Sequence, residues 1–496
     1  MKQRAENENK IVMRSSNKYI QDMFDWAVEK ISQFIMTGKT GPVNRDEFHP
    51  EGDGSGEHIY VPSYWAGYRD RTAFYSRDFV HQALGAQIAG YTEENYNMFR
   101  IFAGGATEER EWYTPWAFNF DGTPHTIDYK NDQYFVREVP AQFELVEKAY
   151  KMYLWSGDKR YLSDPILYRF YTKVLNEFVE LHDTNQNGIA EGTGGGIFEG
   201  TCSYNERSGE PLLESGDALG SQYQAMLAYA KILKNIGKFD ESERWEQKAG
   251  DLKQYFNEVW SVCEETESSY VRAWGTHGEK YSDFASENTW FMPLKMITEP
   301  GTRNDEYIDF ILENLGEGIG TRPLAPVNLE SYTYIPDMLF LYNRNEEAWK
   351  WMKYIISRKD LPHERAEQGT NGDYPEIAFT FLSQVVEGMM GIEPEADHGI
   401  VATLPRLPRD VGNLLIKNMN AGELFFSVKH ERNRKTVLTN DGNRSILWEV
   451  RFYGNYKFIK VGDELMKTMQ KNMNGETISF VRIEIAPGES GEAGVL

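Results

Sequence analysis

The chain has 496 residues, of which 40% are hydrophobic and 26% charged, a composition typical of globular proteins that excludes a mainly disordered chain. Its formal net charge of −23 makes it a poor match for nucleic-acid phosphates and for an anionic membrane surface, and we expect neither as a partner. It contains no run of about 18 apolar residues, so the sequence predicts no membrane-spanning helix.

The N-terminal residues MKQRAENENKIVMRSSNK lack the apolar segment of a signal peptide. We therefore expect a cytoplasmic location, although a secreted chain whose signal had been removed would look the same. The two cysteines, Cys202 and Cys263, are too few for a disulfide framework or a zinc site.

Helical periodicity dominates the chain up to about residue 395. The clearest helix runs from Pro140, which suits a first helical turn, to Gly157, which suits a C-terminal cap. A second helix opens at Ser163-Asp164-Pro165 and continues to about residue 181, so the two form an αα-hairpin. Similar patterns predict ten further helices, near 18–37, 78–90, 93–103, 217–234, 240–260, 286–297, 304–315, 332–343, 345–357 and 376–391.

The pattern changes after Gly391. The segment IEPEADHGIVATLPRLPRD indicates an extended connection, and GELFFSVKHE, TVLTNDGNRSILWEVRFYG, YKFIKVGD and ISFVRIEIA alternate apolar and polar residues as strands do. We therefore predict a helical domain over 1–395 and an antiparallel, sandwich-like β-domain over 396–496. Helices followed by strands, rather than alternating with them, argue against a Rossmann or TIM-barrel fold.

Four long loops are rich in glycine, aromatic residues and acids, and long loops of this type are usually functional. They span 60–78, 110–138, 196–217 and 364–376, and we expect them to converge at one end of the helical domain. Aromatic residues make up 14% of the chain, and on composition alone a large core explains them better than a sugar-binding cleft does.

The sequence lacks the common nucleotide, serine-hydrolase and zinc-protease motifs GxxxxGK[ST], complete GxGxxG, GxSxG and HExxH. The segment from Asp183 to Gly188 resembles the start of a calcium loop, but its twelfth position is Gly194 rather than Glu, and a capped inter-helix turn is the better interpretation. We expect no metal and no cofactor. The remaining chemistry, carboxylates among aromatic loops, suits acid/base hydrolysis of an acetal.

Several stretches resemble the six-hairpin glycosidases, the (α/α)6-barrel superfamily that includes glucoamylases, trehalases, processing glucosidases and α-L-rhamnosidases. These stretches are TAFYSRDFVHQALGAQIAGY, HDTNQNGIAEG, EGTCSYNERSGEPLLESGDALGSQYQAMLAYAKIL, SYTYIPDMLFLYNRNEEAWKWMKYI and NGDYPEIAFTFLSQVVEGMMGIEPEADHGIVATLPRLP. The resemblance implies a mainly α (α/α)6 toroid with a C-terminal antiparallel β-domain. We expect two differences from the family, which are the lack of a large β-domain before the helices and Asn205 where some relatives have Asp.

The candidate catalytic residues are loop carboxylates. Glu206 is the first candidate for the general acid, with Glu199 and Glu214 as alternatives, since burial can raise a carboxyl pKa enough for that role. Glu376 is the candidate base because a helix start stabilises an ionised carboxylate, and Glu367 is its runner-up. Each of these residues could instead be an ordinary loop or first-turn acid.

The candidate sugar-binding residues lie in the same loops. The resemblance implies that Arg77 and Asp78 bind hydroxyls of the terminal sugar, and the alternative is a structural ion pair at a helix start. Trp65, Tyr68 and Trp116 are candidate stacking platforms, or else packing residues. We also assign to this set Tyr204, beside the acid loop, and Glu138, a third cleft carboxylate or an ordinary helix-start acid.

The resemblance implies a glycoside hydrolase, exo-acting and inverting, that removes a terminal sugar from an oligosaccharide or glycoside without a cofactor. A polysaccharide lyase or unsaturated-uronide hydrolase on the same barrel is the second interpretation, and it predicts several cations aimed at uronate carboxylates. A non-catalytic carbohydrate-binding protein is the third, and it predicts stacking aromatics without a carboxylate pair. The sequence leaves the sugar, the linkage, the anomer and the oligomeric state open.

Overall fold

Twelve α-helices of eight residues or more occupy the first four-fifths of the structure, a computed structural model that describes residues 10–45, 52–127, 129–192, 202–204, 210–262 and 269–495. Each matches a helix predicted from the sequence, with ends that differ by a few residues. The helices are α1 Lys18–Gln33, α2 Ser76–Ile88, α3 Thr92–Gly105, α4 Val139–Ser156, α5 Pro165–Lys173, α6 Gly216–Asn235, α7 Phe239–Tyr255, α8 Glu287–Leu294, α9 Thr302–Leu315, α10 Tyr334–Leu341, α11 Asn345–Ile356 and α12 Pro375–Ser383.

Three helices continue through a π-helical turn, and their starts and stops follow local chemistry. The turns are Val174–Phe178 after α5, Phe256–Trp260 after α7 and Gln384–Met389 after α12. Asp164 caps α5 by accepting from the backbone N–H groups of Ile166 and Leu167. Gly157 ends α4 with φ of 66°, a left-handed conformation that glycine adopts without a Cβ penalty, as the sequence predicts.

The even-numbered helices contact one another in chain order, from α2 through α4, α6, α8 and α10 to α12. The contact between α10 and the α12 end of the series is made by the π-helical turn after α12. Helix α12 itself packs against α2, so the series of contacts closes into a ring. At that junction a Cβ on Gly85 of α2 would lie 2.2 Å from the carbonyl oxygen of Phe379. The first and last of these helices therefore approach each other backbone to backbone.

The strands after α12 form two sheets. They are β2 Glu393–Glu395, β3 Ile400–Thr403, β4 Asn413–Ala421, β5 Leu424–Glu431, β6 Lys435–Asn440, β7 Ile446–Tyr453, β8 Phe458–Val461, β9 Glu464–Lys467, β10 Met469–Met473, β11 Glu476–Ile485 and β12 Ser490–Gly494, with β1 Val12–Ser15 joining from the N-terminal end. The seven-stranded sheet has the order β1-β4-β5-β6-β12-β8-β9, and the five-stranded sheet has the order β2-β3-β7-β11-β10.

Two features of these sheets differ from the sequence-based prediction. Strand β1 pairs with β4, so Val12 lies opposite Lys417 and an N-terminal segment belongs to a sheet of the C-terminal region. Strands β3 and β7 pair in parallel, whereas every other pairing described between these strands is antiparallel. The parallel pair is possible because 42 residues, including three strands of the other sheet, separate Thr403 from Ile446 and supply the long crossover that it needs.

The loops before the even-numbered helices carry short β-structure that the sequence analysis does not predict. Ala73–Tyr75, directly before α2, pairs with Ala117–Asn119, and Leu212–Ser215, directly before α6, pairs with Ala273–Gly275. These pairings fix the entry of the chain into helices whose first residues are the candidate site. Among the helices of the described residues, none is long and apolar enough to cross a membrane.

Candidate active site

Glu376 occupies the first turn of α12, and its side chain is 5% exposed. Its Oε1 accepts hydrogen bonds from Nδ1 of His81 at 2.6 Å and from the Thr333 hydroxyl at 2.6 Å. His81 lies in α2, and Thr333 directly precedes α10, so three helices meet at this carboxylate. Within the part of the chain that the structure describes, Oε2 has no hydrogen-bond donor, which leaves it available to a water or a ligand.

His81 lies between two carboxylates. Its Nε2 is 2.9 Å from Oδ2 of Asp337 in α10, and its ring stacks on Tyr334 with centroids 3.8 Å apart and planes 7° from parallel. Burial lowers the pKa of His81, but the Glu376 charge and the hydrogen bonds to Asp337 and Glu376 raise it to about 9. At neutral pH His81 is therefore an imidazolium that donates from both nitrogens.

Asp78 lies one helical turn before His81 and is also buried. Tyr374, which precedes α12, donates its hydroxyl hydrogen to Oδ1 of Asp78. Burial and the Glu376 charge raise the pKa of Asp78 to about 7, while Arg77 and the Tyr374 hydrogen bond oppose that rise. Near neutral pH the Asp78 carboxyl is thus divided between a form that donates a hydrogen bond and a form that only accepts.

A further carboxylate, Glu330, lies in the short helical turn before α10 and is buried. It accepts from the Tyr68 hydroxyl at 3.1 Å and from Nε2 of His363 at 3.3 Å. Burial by itself raises the pKa of Glu330. The hydrogen bonds from His363 and Asn328 lower that pKa by more than burial raises it, so the net shift is downward. Glu330 is therefore ionised, and it joins the 60–78 loop to the segment that precedes α12.

The start of the predicted acid loop is held at the same place. Tyr204 donates its backbone N–H to Asp217 at 2.7 Å and its hydroxyl to Glu144 at 2.8 Å. Its carbonyl accepts from Arg77 at 3.1 Å, and the Arg77 guanidinium lies 5.4 Å from the centre of the Tyr204 ring. Tyr204 thus lies next to Arg77, whereas Glu206 and Glu199 lie outside the described residues.

The other carboxylate candidates occupy different surroundings. Glu214 accepts from Asn185 at 2.6 Å, from Asn187 at 2.8 Å and from the Trp260 indole at 2.5 Å, so it joins the inter-helix turn to the end of α7. Glu367 is exposed in a three-residue helical turn. Glu138 is buried directly before α4, and its charge contributes to the raised pKa of Tyr204.

The candidate stacking residues are half-buried and contact other aromatic rings. The Trp65 indole donates to the carbonyl of Tyr68 at 3.1 Å, and the Trp116 ring meets Tyr75 edge-on at 5.1 Å. The Arg365 guanidinium lies 3.8 Å from the centre of the Tyr68 ring. The Arg71 guanidinium also lies over the Tyr68 ring, 5.9 Å from its centre, so two cations already contact this candidate platform.

The turn at Asp183 is a capped turn. Asp183 accepts from the backbone N–H groups of Asn187 at 2.9 Å and Gly188 at 2.8 Å, and Glu191 accepts from Thr184 at 3.1 Å. The Asp183 and Glu191 carboxylates therefore cap the backbone N–H groups of this turn. Across the described ranges, no group of three or more His, Cys, Asp or Glu side chains could hold a metal ion.

Contacts bring parts of all four predicted loops together at the starts of α2 and α12: Arg69 of the first loop donates its backbone N–H to Gln368 of the last at 2.7 Å. The sequence analysis missed His81, Asp337, Glu330 and His363. For His81 a signal exists, since it follows Asp78 by three residues and so shares its helix face. Asp337 and Glu330 carry no such signal, because only the packing of α10 beside α2 and α12 brings them to the site.

No protein-family model matches the chain, and no curated protein matches it. Solved structures do match over nearly its whole length. An α-L-rhamnosidase from Dictyoglumus thermophilum is 14% identical with a TM-score of 0.57, covering 98% of this chain and 50% of that one. The Streptomyces avermitilis enzyme complexed with L-rhamnose is 12% identical with a TM-score of 0.58 (98% and 42%), and the Aspergillus terreus enzyme is 10% identical with 0.58 (97% and 50%).

These neighbours have the fold of the six-hairpin glycosidases, so the resemblance drawn from the sequence holds at the level of fold. The chain spans about half the length of the rhamnosidases that it matches.

Proposed function

We propose that this chain is a glycoside hydrolase that removes a terminal sugar from an oligosaccharide or glycoside. The observation that carries the proposal is Glu376, a buried carboxylate with one oxygen held by two donors and the other without a donor among the described residues. That is the arrangement required of a base that activates water, because the held oxygen fixes the direction in which the other acts. The fold shared with α-L-rhamnosidases supports the same class of reaction.

The cyclic contacts of α2, α4, α6, α8, α10 and α12 support an (α/α)6 barrel in which these helices form the inner layer. Their starts would then form the floor of the cleft. Several of them carry a buried carboxylate in or next to the first turn, as at Asp78, Glu138, Asp217 and Glu376. We keep the division into helical and β-domains near residue 395 as part of this proposal, with β1 assigned to the β-domain.

Glu206 remains our proposed general acid. It follows Tyr204 by two residues in the sequence. Tyr204 contacts Arg77, which is next to Asp78 in the chain, and burial and the Glu376 charge both raise the pKa of Asp78. The place of Tyr204 supports Glu206 over Glu214, whose oxygens already accept three hydrogen bonds. Glu199 is the second choice.

We assign Asp78 and Arg77 to the hydroxyls of the terminal sugar. Asp78 changes between donor and acceptor near neutral pH, and a sugar hydroxyl can match either form. Since neighbours with this fold are α-L-rhamnosidases, one of them complexed with L-rhamnose, α-L-rhamnosides are the first substrates to test.

The test is a panel of aryl glycosides that includes para-nitrophenyl α-L-rhamnoside, assayed with the wild type and with Glu376→Gln. We expect cleavage of at least one glycoside and a loss of kcat of about 100-fold or more in Glu376→Gln. Glu423→Gln is the control, since it changes an exposed Glu in the turn between β4 and β5. Normal turnover by Glu376→Gln would overturn the assignment of the base.

The stereochemical outcome is read from the first-formed product. An inverting enzyme releases the sugar with the opposite anomeric configuration, because water attacks from the face opposite the leaving oxygen. Proton NMR of the anomeric signal early in the reaction distinguishes inversion from retention. Retention would overturn the inverting mechanism while leaving the hydrolase class in place.

The lyase or unsaturated-uronide hydrolase predicts cations aimed at a uronate. Among the described cations at the site, Arg77 contacts the Tyr204 backbone and ring and Arg365 covers Tyr68, which favours a neutral sugar. An unsaturated product seen by its ultraviolet absorbance would favour the lyase. Sugar binding without turnover would favour the carbohydrate-binding protein.

A further inference from the structure

The strongest feature outside the proposed acid and base is the pair of hydrogen bonds made by His81. Its two ring nitrogens bond to carboxylates on two other helices, Glu376 at 2.6 Å and Asp337 at 2.9 Å. The side chains of His81 and Glu376 are 8% and 5% exposed, whereas that of Asp337 is 31% exposed. The imidazole therefore joins the buried carboxylate of Glu376 to the partly exposed carboxylate of Asp337.

The ring has little freedom to turn. Tyr334 stacks on it at 3.8 Å, nearly parallel, and both bonded oxygens lie at its edge. Thr333 donates to the same Glu376 oxygen as His81 does. Rotation of the Glu376 carboxylate would break both of these bonds, so His81 and Thr333 together set its orientation.

The surroundings of His81 are rich in charge. Five charged residues act electrostatically on His81 or on Tyr334, which stacks on it: Glu376, Asp337, Asp78, Arg77 and Glu144. Beyond them Lys295 donates to Glu144 at 2.5 Å, so that carboxylate already has a cationic partner. Asp337 and His81 also line a cavity of about 440 Å³. No Lys or Arg hydrogen-bonds to Glu376 among the described residues, which leaves His81 as its nearest cation.

We infer that His81 is a positioning residue for the proposed base Glu376, holding its carboxylate in the direction in which it acts, and that Asp337 in turn holds His81. This inference rests on the proposed function. The charge-assisted hydrogen bond from His81 to Glu376 is 2.6 Å long and fixes one carboxylate oxygen. The other oxygen therefore keeps the direction in which it would accept a proton from water.

Two variants separate the two contacts. In His81→Asn the amide nitrogen can replace Nδ1 toward Glu376, whereas in His81→Gln it can replace only Nε2 toward Asp337. Both lose the positive charge, so the acid limb of the kcat/KM profile should move up by about one pH unit or more in each. We expect kcat to fall about tenfold or more in His81→Gln and less in His81→Asn, with KM within about twofold of wild type.

The control is His430→Gln, which changes a buried His in β5 that bonds to Thr436 and to the Met390 carbonyl, away from Glu376. Its acid limb should stay in place even if its melting temperature falls. Melting temperatures of all variants separate unfolding from a loss of turnover. An unchanged acid limb and kcat in folded His81→Gln would overturn the inference.

A second measurement does not depend on turnover. With labelled histidine, imidazole NMR should show His81 protonated at pH 8, and Asp337→Asn should bring its titration to lower pH because one of its two carboxylate partners is gone. A neutral His81 at pH 7 in the wild type would also overturn the inference. If instead Glu376→Gln retains activity, the base assignment fails, and that outcome is distinct from failure of the His81 role alone.

Discussion

The Tyr374 hydroxyl donates a hydrogen bond to Asp78 although the two residues are 296 positions apart in the chain. This bond joins the segment before α12 to the first turn of α2. It acts against the burial that raises the pKa of Asp78, so it stabilises the ionised form. The ionisation of Asp78 is therefore linked to how α2 and α12 meet.

Asp78→Asn should make the protein more stable at alkaline pH. The pKa of Asp78 is about 7 when folded against a usual value of 3.8, so the unfolded chain loses this proton first and stability falls between about pH 4 and pH 7. Asn removes that loss. Relative to the wild type, the unfolding free energy of Asp78→Asn should be about 2–3 kcal/mol more favourable to the folded state at pH 8 than at pH 5.

Urea unfolding at the two pH values measures this difference. Tyr374→Phe provides the companion variant, since it removes a donor to the ionised carboxylate and should make stability fall more steeply with pH than in the wild type. An Asp78→Asn effect that is equal at pH 5 and pH 8 would contradict the assignment of the raised pKa. Asp78→Asn should also bind the sugar more weakly if Asp78 contacts one of its hydroxyls.

Gly85→Ala should strongly destabilise the fold. The added Cβ would lie 2.2 Å from the Phe379 carbonyl oxygen, so α2 and α12 would have to separate, at a cost of about 3 kcal/mol or more. Gly250→Ala is the matched control: it lies in α7, no atom lies within 4 Å of its added Cβ, and Ala should stabilise the helix by about 0.5–1 kcal/mol. Thermal unfolding of the two variants should therefore shift in opposite directions.

Glu214→Gln should affect stability more than turnover. Its carboxylate accepts three hydrogen bonds that join the Asn185 and Asn187 turn to Trp260, and the amide can accept at only one atom. We expect a loss of about 1–3 kcal/mol in unfolding free energy and kcat within about threefold of wild type. A loss of kcat that is restored by a better leaving group would instead identify Glu214 as the acid.

Glu206→Gln should lower kcat on a natural glycoside by about 100-fold or more. A dinitrophenyl glycoside needs little protonation of its leaving oxygen, so its cleavage should fall far less. Glu376→Gln should lose activity on both substrates, because an activated leaving group does not replace a base. Near-normal activity of Glu206→Gln on the natural glycoside would exclude it as the acid, and Glu199→Gln would be examined next.

Local signals predicted most of the fold. Each predicted helix is present. Asp164 caps its helix through its carboxylate, and Gly157 ends its helix in a left-handed conformation that the absence of a side chain permits. The pairing of Val12–Ser15 with β4 was not predicted, because four residues carry no periodicity long enough to indicate a strand. The short pairings in the loops were missed for the same reason.

The site was predicted only where chemistry is visible along the chain. Asp78 was named from the resemblance and Glu376 from its helix start, and burial and the Glu376 charge both raise the pKa of Asp78. His81 and Asp337 were not named, because their bond joins positions 256 residues apart and depends on how α2 and α10 pack. The four loops predicted where the site lies but not which residues contact one another. The role of Glu206 stays a prediction.

The pairing of β1 with β4 sets an order of events during synthesis. Strand β1 leaves the ribosome long before its partner β4, which begins about 400 residues later in the chain. At about 5–20 residues per second, roughly 20–80 s pass before that partner exists. Throughout that interval the backbone groups of Val12–Ser15 have no sheet to join, so this edge of the β-domain is completed only after every helix has been made.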